Sequence, residues 1–351
     1  ENGQQSPGTG RPIAVRTVTS TVAVVLALLI TGSVVAQPTE VVVYSARREP
    51  LILPVIDRFR QQTGLRVNVR SGTAGELANL ILEERARPRA DVFISNEVSI
   101  LEVLRRQGAL EPYLGAAVRR IPVEYRAQDG TWIGLSARAH VLMVNRDRLA
   151  HARLSAPTSM LDLADERWQS RIVMPVFTNE YMVAWLSALR VVRGDQWTAL
   201  FFQRLRGNRP LLVAGGTQVR ETVARDEAVV GVANHYYYHL QVAEGSRNID
   251  IIYPDQGANG MGVLFSPTGI GIVMRGPNPA GARRMVDFLA ADPKAQEFYA
   301  KANFEYPIMP DVPLHPDVRP LNRFVRMTVP YQKLGDLRES TLRLIRDGFF
   351  Q

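Results

Sequence analysis

The sequence contains no cysteine. That absence removes disulfides, thiolate zinc sites, iron–sulfur clusters and cysteine nucleophiles together, and leaves oxygen and nitrogen as the donors for any metal. Histidine is scarce. His140, His151, His235, His239 and His315 are the full set, and their spacing makes no metal-ligand cluster. His235 and His239 stand four apart but lack the glutamate of a His-Glu-x-x-His helix. There is no Gly-x-Ser-x-Gly, no phosphate-binding loop, no internal repeat and no low-complexity tract. These absences argue against an enzyme and in favour of a protein that binds.

Charge of one sign is not concentrated anywhere either. The 42 Lys+Arg outnumber the 34 Asp+Glu, giving +8, but the basic residues are scattered in ones and twos, as at Arg105-Arg106, Arg119-Arg120 and Arg283-Arg284. Many lie near acids on apparent helices, the pattern of a solvated face rather than a nucleic-acid surface. The positive balance fits an anionic ligand or partner. Hydrophobic residues at 46% supply a real core, and 351 residues suggest two domains at roughly 150 each.

Long apolar runs are also few. The one unbroken run, Val22 to Ile30, follows Arg11 and Arg16 and precedes Thr31-Gly32-Ser33 and Val34-Val35-Ala36. A positive segment, a short apolar stretch and small residues make a secretory signal peptide, residues 1–36, cleaved after Ala36. An uncleaved anchor is the alternative, although the stretch is short for a span of about 20 residues. Loss of Glu1, Arg11 and Arg16 with that segment leaves 315 residues at +7.

What remains alternates. Strands are expected at Glu40–Ser45, Leu65–Val69 and Ala90–Ser95, and helices at Leu51–Gln62, Ala74–Arg87 and Val98–Gln107, which imply parallel βαβ units. Trp132–Asn145 reads as one extended segment. Beyond it come strands at Arg171–Met174, Ala228–Ala233, Ile249–Tyr253 and Gly269–Met274. Helices are expected at Asn179–Val192, Asp195–Leu205, Gly215–Arg225, His235–Ala243, Ala280–Ala300 with a break at Pro293, and Leu337–Phe349. Two α/β sets on either side of about Arg138 suggest a two-lobed molecule with a hinge. In such sheets, sites lie beyond the carboxyl ends of the strands.

Those junctions carry tyrosines. Asn234-His235-Tyr236-Tyr237-Tyr238-His239 follows the strand ending at Ala233, with Asn234 placed as the helix N-cap and Tyr236 and Tyr237 in the first turn. Tyr181 holds a comparable place after Pro175–Asn179. Packing against a core is the ordinary fate of tyrosine, yet three phenols at two helix N-termini suit a hard, highly charged cation. Phenol ionises near 10, so it ligates at neutral pH only if the metal displaces its proton. Three phenolates cancel a 3+ charge, and ferric iron prefers such anionic oxygen. Arg47 and Arg48 lie at a third junction, and Arg138 in the extended segment could face the same cleft.

These residues resemble the periplasmic ferric-iron-binding proteins, the substrate-binding components of iron ABC transporters. Val41–Tyr44 with Ser45-Ala46-Arg47 is similar to the family's opening motif, Ala90–Ser95 to its third strand, Gly134–Arg138 to its hinge, Asn234 with Tyr236-Tyr237 to its paired-tyrosine motif, and Glu305-Tyr306-Pro307 to a late turn. The resemblance implies an α/β two-lobed periplasmic-binding-protein (type II) fold with hinge strands. Lobe 1 would be 38–137 with 260–312, and lobe 2 would be 138–259 with 313–351. It implies a monomer in the periplasm that captures Fe³⁺ and feeds an ABC permease. Tyr181, Tyr236 and Tyr237 would be the ligands. A synergistic anion such as carbonate would rest on Arg47, Arg138, Gly216 and Thr217, with Arg48, Asn96 and Asn234 around the site. Arg48 stands where better-known members have a ligand histidine, and Asn96, with Glu97 beside it, where they have a ligand glutamate. The alternative keeps this fold and binds an organic or phosphate-like anion through the arginines, without iron.

Overall fold

The computed structural model describes residues 39–348 together with Gly8 and Gly10. The rest of the expected signal segment lies outside the described residues. No helix among them is long and apolar enough to cross a membrane.

Among the described residues eleven strands form one sheet. They are β1 (Glu40–Ser45), β2 (Arg66–Ser71), β3 (Val92–Ser95), β4 (Leu110–Glu111), β5 (Ile133–Asn145), β6 (Ile172–Pro175), β7 (Leu211–Val213), β8 (Val230–Asn234), β9 (Ile249–Ile252), β10 (Phe265–Val273) and β11 (Tyr306–Pro307). The helices are α1 (Leu53–Thr63), α2 (Ala74–Glu83), α3 (Val98–Arg106), α4 (Arg146–Ala152), α5 (Glu180–Arg193), α6 (Asp195–Gly207), α7 (Gly216–Ala224), α8 (His235–Ala243), α9 (Pro279–Ala291), α10 (Pro293–Lys301) and α11 (Tyr331–Asp347). Local chemistry sets several ends. Gly64 closes α1 at φ +69°, a left-handed cap, and Thr73 with Glu76 makes a reciprocal capping box that starts α2. Asp292 caps α10, whose first residue is Pro293, so the expected break falls there.

The strand order is β2-β1-β3-β10-β5-β8-β6-β7, with β11 and β9 also on β5 and β4 on β10. β5 changes partner midway. It pairs antiparallel with β10 up to Ala139↔Phe265 and then with β8 from His140↔Asn234. All thirteen of its residues are buried, which is what a strand central to the sheet path requires. Val41, Ile56, Ile94, Leu135 and Ile272 share one core, and Leu142, Met174, Val183, Phe202 and Val232 share another. Val318 and Phe324 belong to the first of these cores.

Two elements depart from the sequence reading. The sheet is mixed, because β10 runs antiparallel to both β3 and β5. β10 also begins four residues before Gly269. The polar stretch Ser266-Pro267-Thr268 hid its first half, and both hydroxyls are spent on buried charges. The last helix begins at Tyr331 rather than Leu337, with the Tyr331 hydroxyl donating to the Phe265 carbonyl at 3.1 Å.

Candidate functional site

A cleft of about 890 Å³ opens where the strands end. β1 delivers Ala46 and Arg48 to it, β3 delivers Asn96 and Glu97, and β5 delivers Arg138. From the other side come Tyr181 after β6, Gly215–Gln218 after β7, and Asn234, Tyr236 and Tyr237 after β8. Thr73–Gly75 at the start of α2 and Arg338 of α11 complete the rim. Apart from Arg138, central in β5, and Arg338 of α11, these residues sit at a strand's carboxyl end or the helix that follows, where binding sites of α/β sheets are built.

The three tyrosines meet here. The Tyr236 and Tyr237 rings lie 4.3 Å apart at an interplanar angle of 36°. The Tyr181 hydroxyl donates to the Ala233 carbonyl at 3.2 Å, which brings it to the last turn of backbone before those rings. Asn179 fixes Tyr181 by accepting its amide N–H at 3.0 Å. His140 stacks on the Tyr181 ring at 3.9 Å and 10°. Burial raises the Tyr181 phenol well above 10, the Glu97 carboxylate adds to that, and Arg138 opposes it. Burial likewise raises Tyr236, helped by Tyr237 and Glu305 and opposed by Arg138. Both phenols are therefore neutral at physiological pH until something stronger than a proton displaces it.

Buried charge frames the cleft. Arg138 Nη2 donates to Glu97 Oε1 at 2.7 Å, and its Nη1 donates to the Thr268 hydroxyl. Ser266 donates to the same Glu97 oxygen at 3.3 Å, and His140 Nε2 stands 3.5 Å from it. Burial works against ionisation of Glu97, but Arg138 and His140 outweigh it and hold the carboxyl below its usual range. Burial lowers His140, so the ring is neutral.

Not every expected residue faces the cleft. Arg47 does not line it. Its donors go to Glu305, to Thr268 at 2.8 Å and to the Leu51 carbonyl at 3.2 Å. Arg47 therefore acts as a paired charge behind Tyr236, while the exposed Arg48 reaches the cleft. Thr268 accepts from both guanidiniums and so ties Arg47 to Arg138. Asn96 lines the cleft with its amide donated to the Ala46 carbonyl at 2.9 Å. Asn234 occupies the N-cap position of α8 but its side chain makes no capping bond. Its Oδ1 is buried without a partner, as are Thr217 Oγ1, Arg138 Nε and Glu97 Oε2. These are buried donors and acceptors on residues that line the cleft, and each would cost about 1–3 kcal/mol if left unsatisfied.

The sequence reading named Glu97 beside Asn96 without a role, and the structure brings it to the cleft. That reading missed Glu180 and Arg338, which pair in a fork at 2.5 and 3.1 Å across 158 residues and carried no local signal. His235 is fully buried. Its Nδ1 accepts the Ala139 N–H at 3.2 Å, so its proton sits on Nε2, which donates to the Phe304 carbonyl at 2.8 Å.

Gly216 is required by contact rather than by conformation. A Cβ there would stand 2.1 Å from Tyr237 Cε2, so the ring lies directly on the start of α7. Gly216→Ala is expected to push the Tyr237 ring out of place. Ligand affinity should fall at least about 10-fold, as when an orienting partner is lost, while secondary structure by circular dichroism is retained.

A family model described as bacterial extracellular solute-binding protein matches residues 87–328. The chain belongs to that family. This solute-binding protein is 30% identical over 318 residues to iron uptake protein A1 of Synechocystis sp., covering 88% of this chain and 87% of that one. It is 28% identical over 288 residues to the Fe(3+)-binding periplasmic protein of Serratia marcescens, covering 80% and 82%. The solved structure of a Trichodesmium protein in complex with iron and citrate ligands superposes with a TM-score of 0.71 at 25% identity, over 89% of this chain and 100% of that one. The fold is that of the type II periplasmic binding proteins. Among the described residues no group of three or more His, Asp or Glu could hold a metal ion.

Proposed function

We propose that this binding protein captures ferric iron outside the cytoplasm and hands it to an ABC permease, with Tyr181, Tyr236 and Tyr237 as the iron ligands. The observation that carries the reading is the convergence of three phenols on one cleft. Burial keeps two of them protonated well beyond neutral pH. Only a strongly Lewis-acidic cation turns such groups into ligands, and three phenolates balance Fe³⁺. The names of the relatives, which specify iron uptake and Fe(3+) binding, agree with this reading. Arg138, with Gly216 and Thr217 at the start of α7, would hold an accompanying anion. The halves 38–137 with 260–312 and 138–259 with 313–351 would act as lobes that close about β5 and β10, save that Val318 and Phe324 pack in the first half's core, with the protein monomeric in the periplasm.

The test is a ferric titration. A visible phenolate-to-iron charge-transfer band should grow to one equivalent. About three protons should be released per iron, counted in weak buffer after correction for the iron chelator, because each ligating phenol gives up one. Apparent affinity should accordingly rise with pH. A protein that stays colourless, yet is stabilised against heat by an organic or phosphate-like anion, would instead favour the arginine-centred alternative.

A further inference from the structure

The outward face of α6 breaks the rule that a solvent-facing helix stripe is polar and charged. The helix, Asp195–Gly207, buries Phe201, Phe202 and Leu205 in the core around α5. At 3.6 residues per turn, the stripe turned away from that core is Gln196, Trp197, Leu200, Gln203 and Arg204, and all of these are exposed. It holds no acid. Trp197 at 38% and Leu200 at 57% exposure lie at its centre, and Val191 and Val192, exposed at the end of α5, lie just across Gly194. Large apolar side chains scattered singly on a surface are ordinary, whereas a group of them ringed by charge marks an interaction surface. The ring here has one sign. Arg193 stands over the Trp197 ring at 5.6 Å, and Arg206 over the Phe202 ring at 5.6 Å. Neither they nor the exposed Arg204 and Arg209 pair with a carboxylate among the described residues. Asp195 is held by Arg190 at 2.8 Å, and Asp165, whose carbonyl accepts from Asn208 beyond the end of α6, is held by Arg167 at 3.0 Å. The stripe lines neither the tyrosine cleft nor the pockets beside Trp132 and Met274, so no small ligand is enclosed there.

We propose that this face docks the protein on an anionic lipid surface. Trp197 and Leu200 enter the headgroup boundary while the arginines around them extend to the lipid phosphates, as when an amphipathic helix lies on such a membrane. A fluid lipid surface brings its charges to wherever the arginines stand. An acidic protein would have to match fixed guanidiniums and cover the apolar side chains as well. Each arginine near an anionic surface strengthens attachment about 5-fold, so these arginines with a shallow apolar contact give reversible binding. The iron reading is not needed for this. Tyr181 and Arg193 lie at opposite ends of α5, roughly 18 Å apart at 1.5 Å per residue, so the docking face is separate from the cleft.

The experiment mixes the full chain with vesicles of phosphatidylglycerol or, separately, of phosphatidylcholine. Trp132, Trp168 and Trp185 are at most 2% exposed, so acrylamide quenching of tryptophan fluorescence reports on Trp197. Phosphatidylglycerol should cut that quenching by more than half, and phosphatidylcholine should leave it unchanged. Raising salt to about 0.5 M should restore it, because charges then act only over a few ångströms. In the double variant Arg204→Glu, Arg206→Glu, the phosphatidylglycerol needed to half-shield Trp197 should rise at least about 25-fold, about 5-fold for each arginine lost. Its ferric titration should match that of the unaltered protein. Equal shielding by both lipids, or by neither, overturns the proposal. So does an unchanged lipid requirement in the double variant. Shielding that grows with protein concentration in the absence of lipid would make the face an interface between copies of this chain, and shielding by polyglutamate but not by vesicles would assign it to an acidic protein; either overturns the lipid surface. If the double variant does not fold, the comparison of the two lipids on the unaltered protein decides alone. A chain that binds no iron would leave this result as it stands.

Discussion

Tyr237→Phe will bind ferric iron at least about 100-fold more weakly than the unaltered protein and will lose most of the visible band. The bound is conservative, since loss of an outer-shell partner alone costs about 10- to 100-fold. The substitution is clean. Phenylalanine keeps the ring that lies on Gly216 and beside Tyr236, so only the donor oxygen is removed. Tyr236→Phe should behave alike. Tyr181→Phe should match them, because two phenolates leave a ferric ion with a net positive charge in a buried cleft. Isothermal titration against a competing chelator measures the loss, and each variant should melt within a few degrees of the unaltered protein. Three variants that bind iron normally would remove the tyrosines from the site.

Acid will destabilise the fold, beginning near pH 6.5. Burial brings the His239 imidazole down to about 4, and it lowers His140 and drives His235 well below 6.5. In the unfolded chain all three take up protons near 6.5. A base with a lowered folded pKa contributes stability that is whole above the unfolded value and is lost as pH falls towards the folded one. His239 alone accounts for roughly 3 kcal/mol between pH 6.5 and 4, at about 1.4 kcal/mol per unit. His235 adds a structural loss, since protonated Nδ1 can no longer accept the Ala139 N–H that anchors β5. Asp91 and Asp255, raised by burial, work in the opposite direction at lower pH. Against a total of about 5–15 kcal/mol, the histidines dominate the upper part of the window. The guanidinium chloride midpoint should fall steadily from pH 7 to 5, and His239→Phe, which keeps the stack on Phe304, should flatten the slope. A midpoint constant over that range would refute the account.

Much of this was legible in the sequence because it is local. The Pro293 break, the extended segment through Arg138 and the tyrosines after β8 all follow from residues within one turn of each other, whereas Asn234, expected to cap α8, makes no capping bond. What was not legible depends on long-range pairing. Arg47 and Arg138 look equivalent as arginines near a junction, yet Glu305 and Leu51 take the first into the core while Glu97 holds the second at the cleft. The start of β10 was hidden because polar residues inside a strand read as a loop unless their buried partners are known. Arg338 lies 158 residues from Glu180 in a helix whose pattern speaks only of amphipathicity.

That helix has a consequence for how the protein is made. α11 supplies Leu334, Leu344 and Ile345 to the core around α5, and Tyr331 to the cluster around Trp132, while Gly335 packs on Glu102 of α3. A chain emerging amino-terminus first therefore cannot finish either half until residues 331–347 have appeared. Clipping the last helix would open two cores at once.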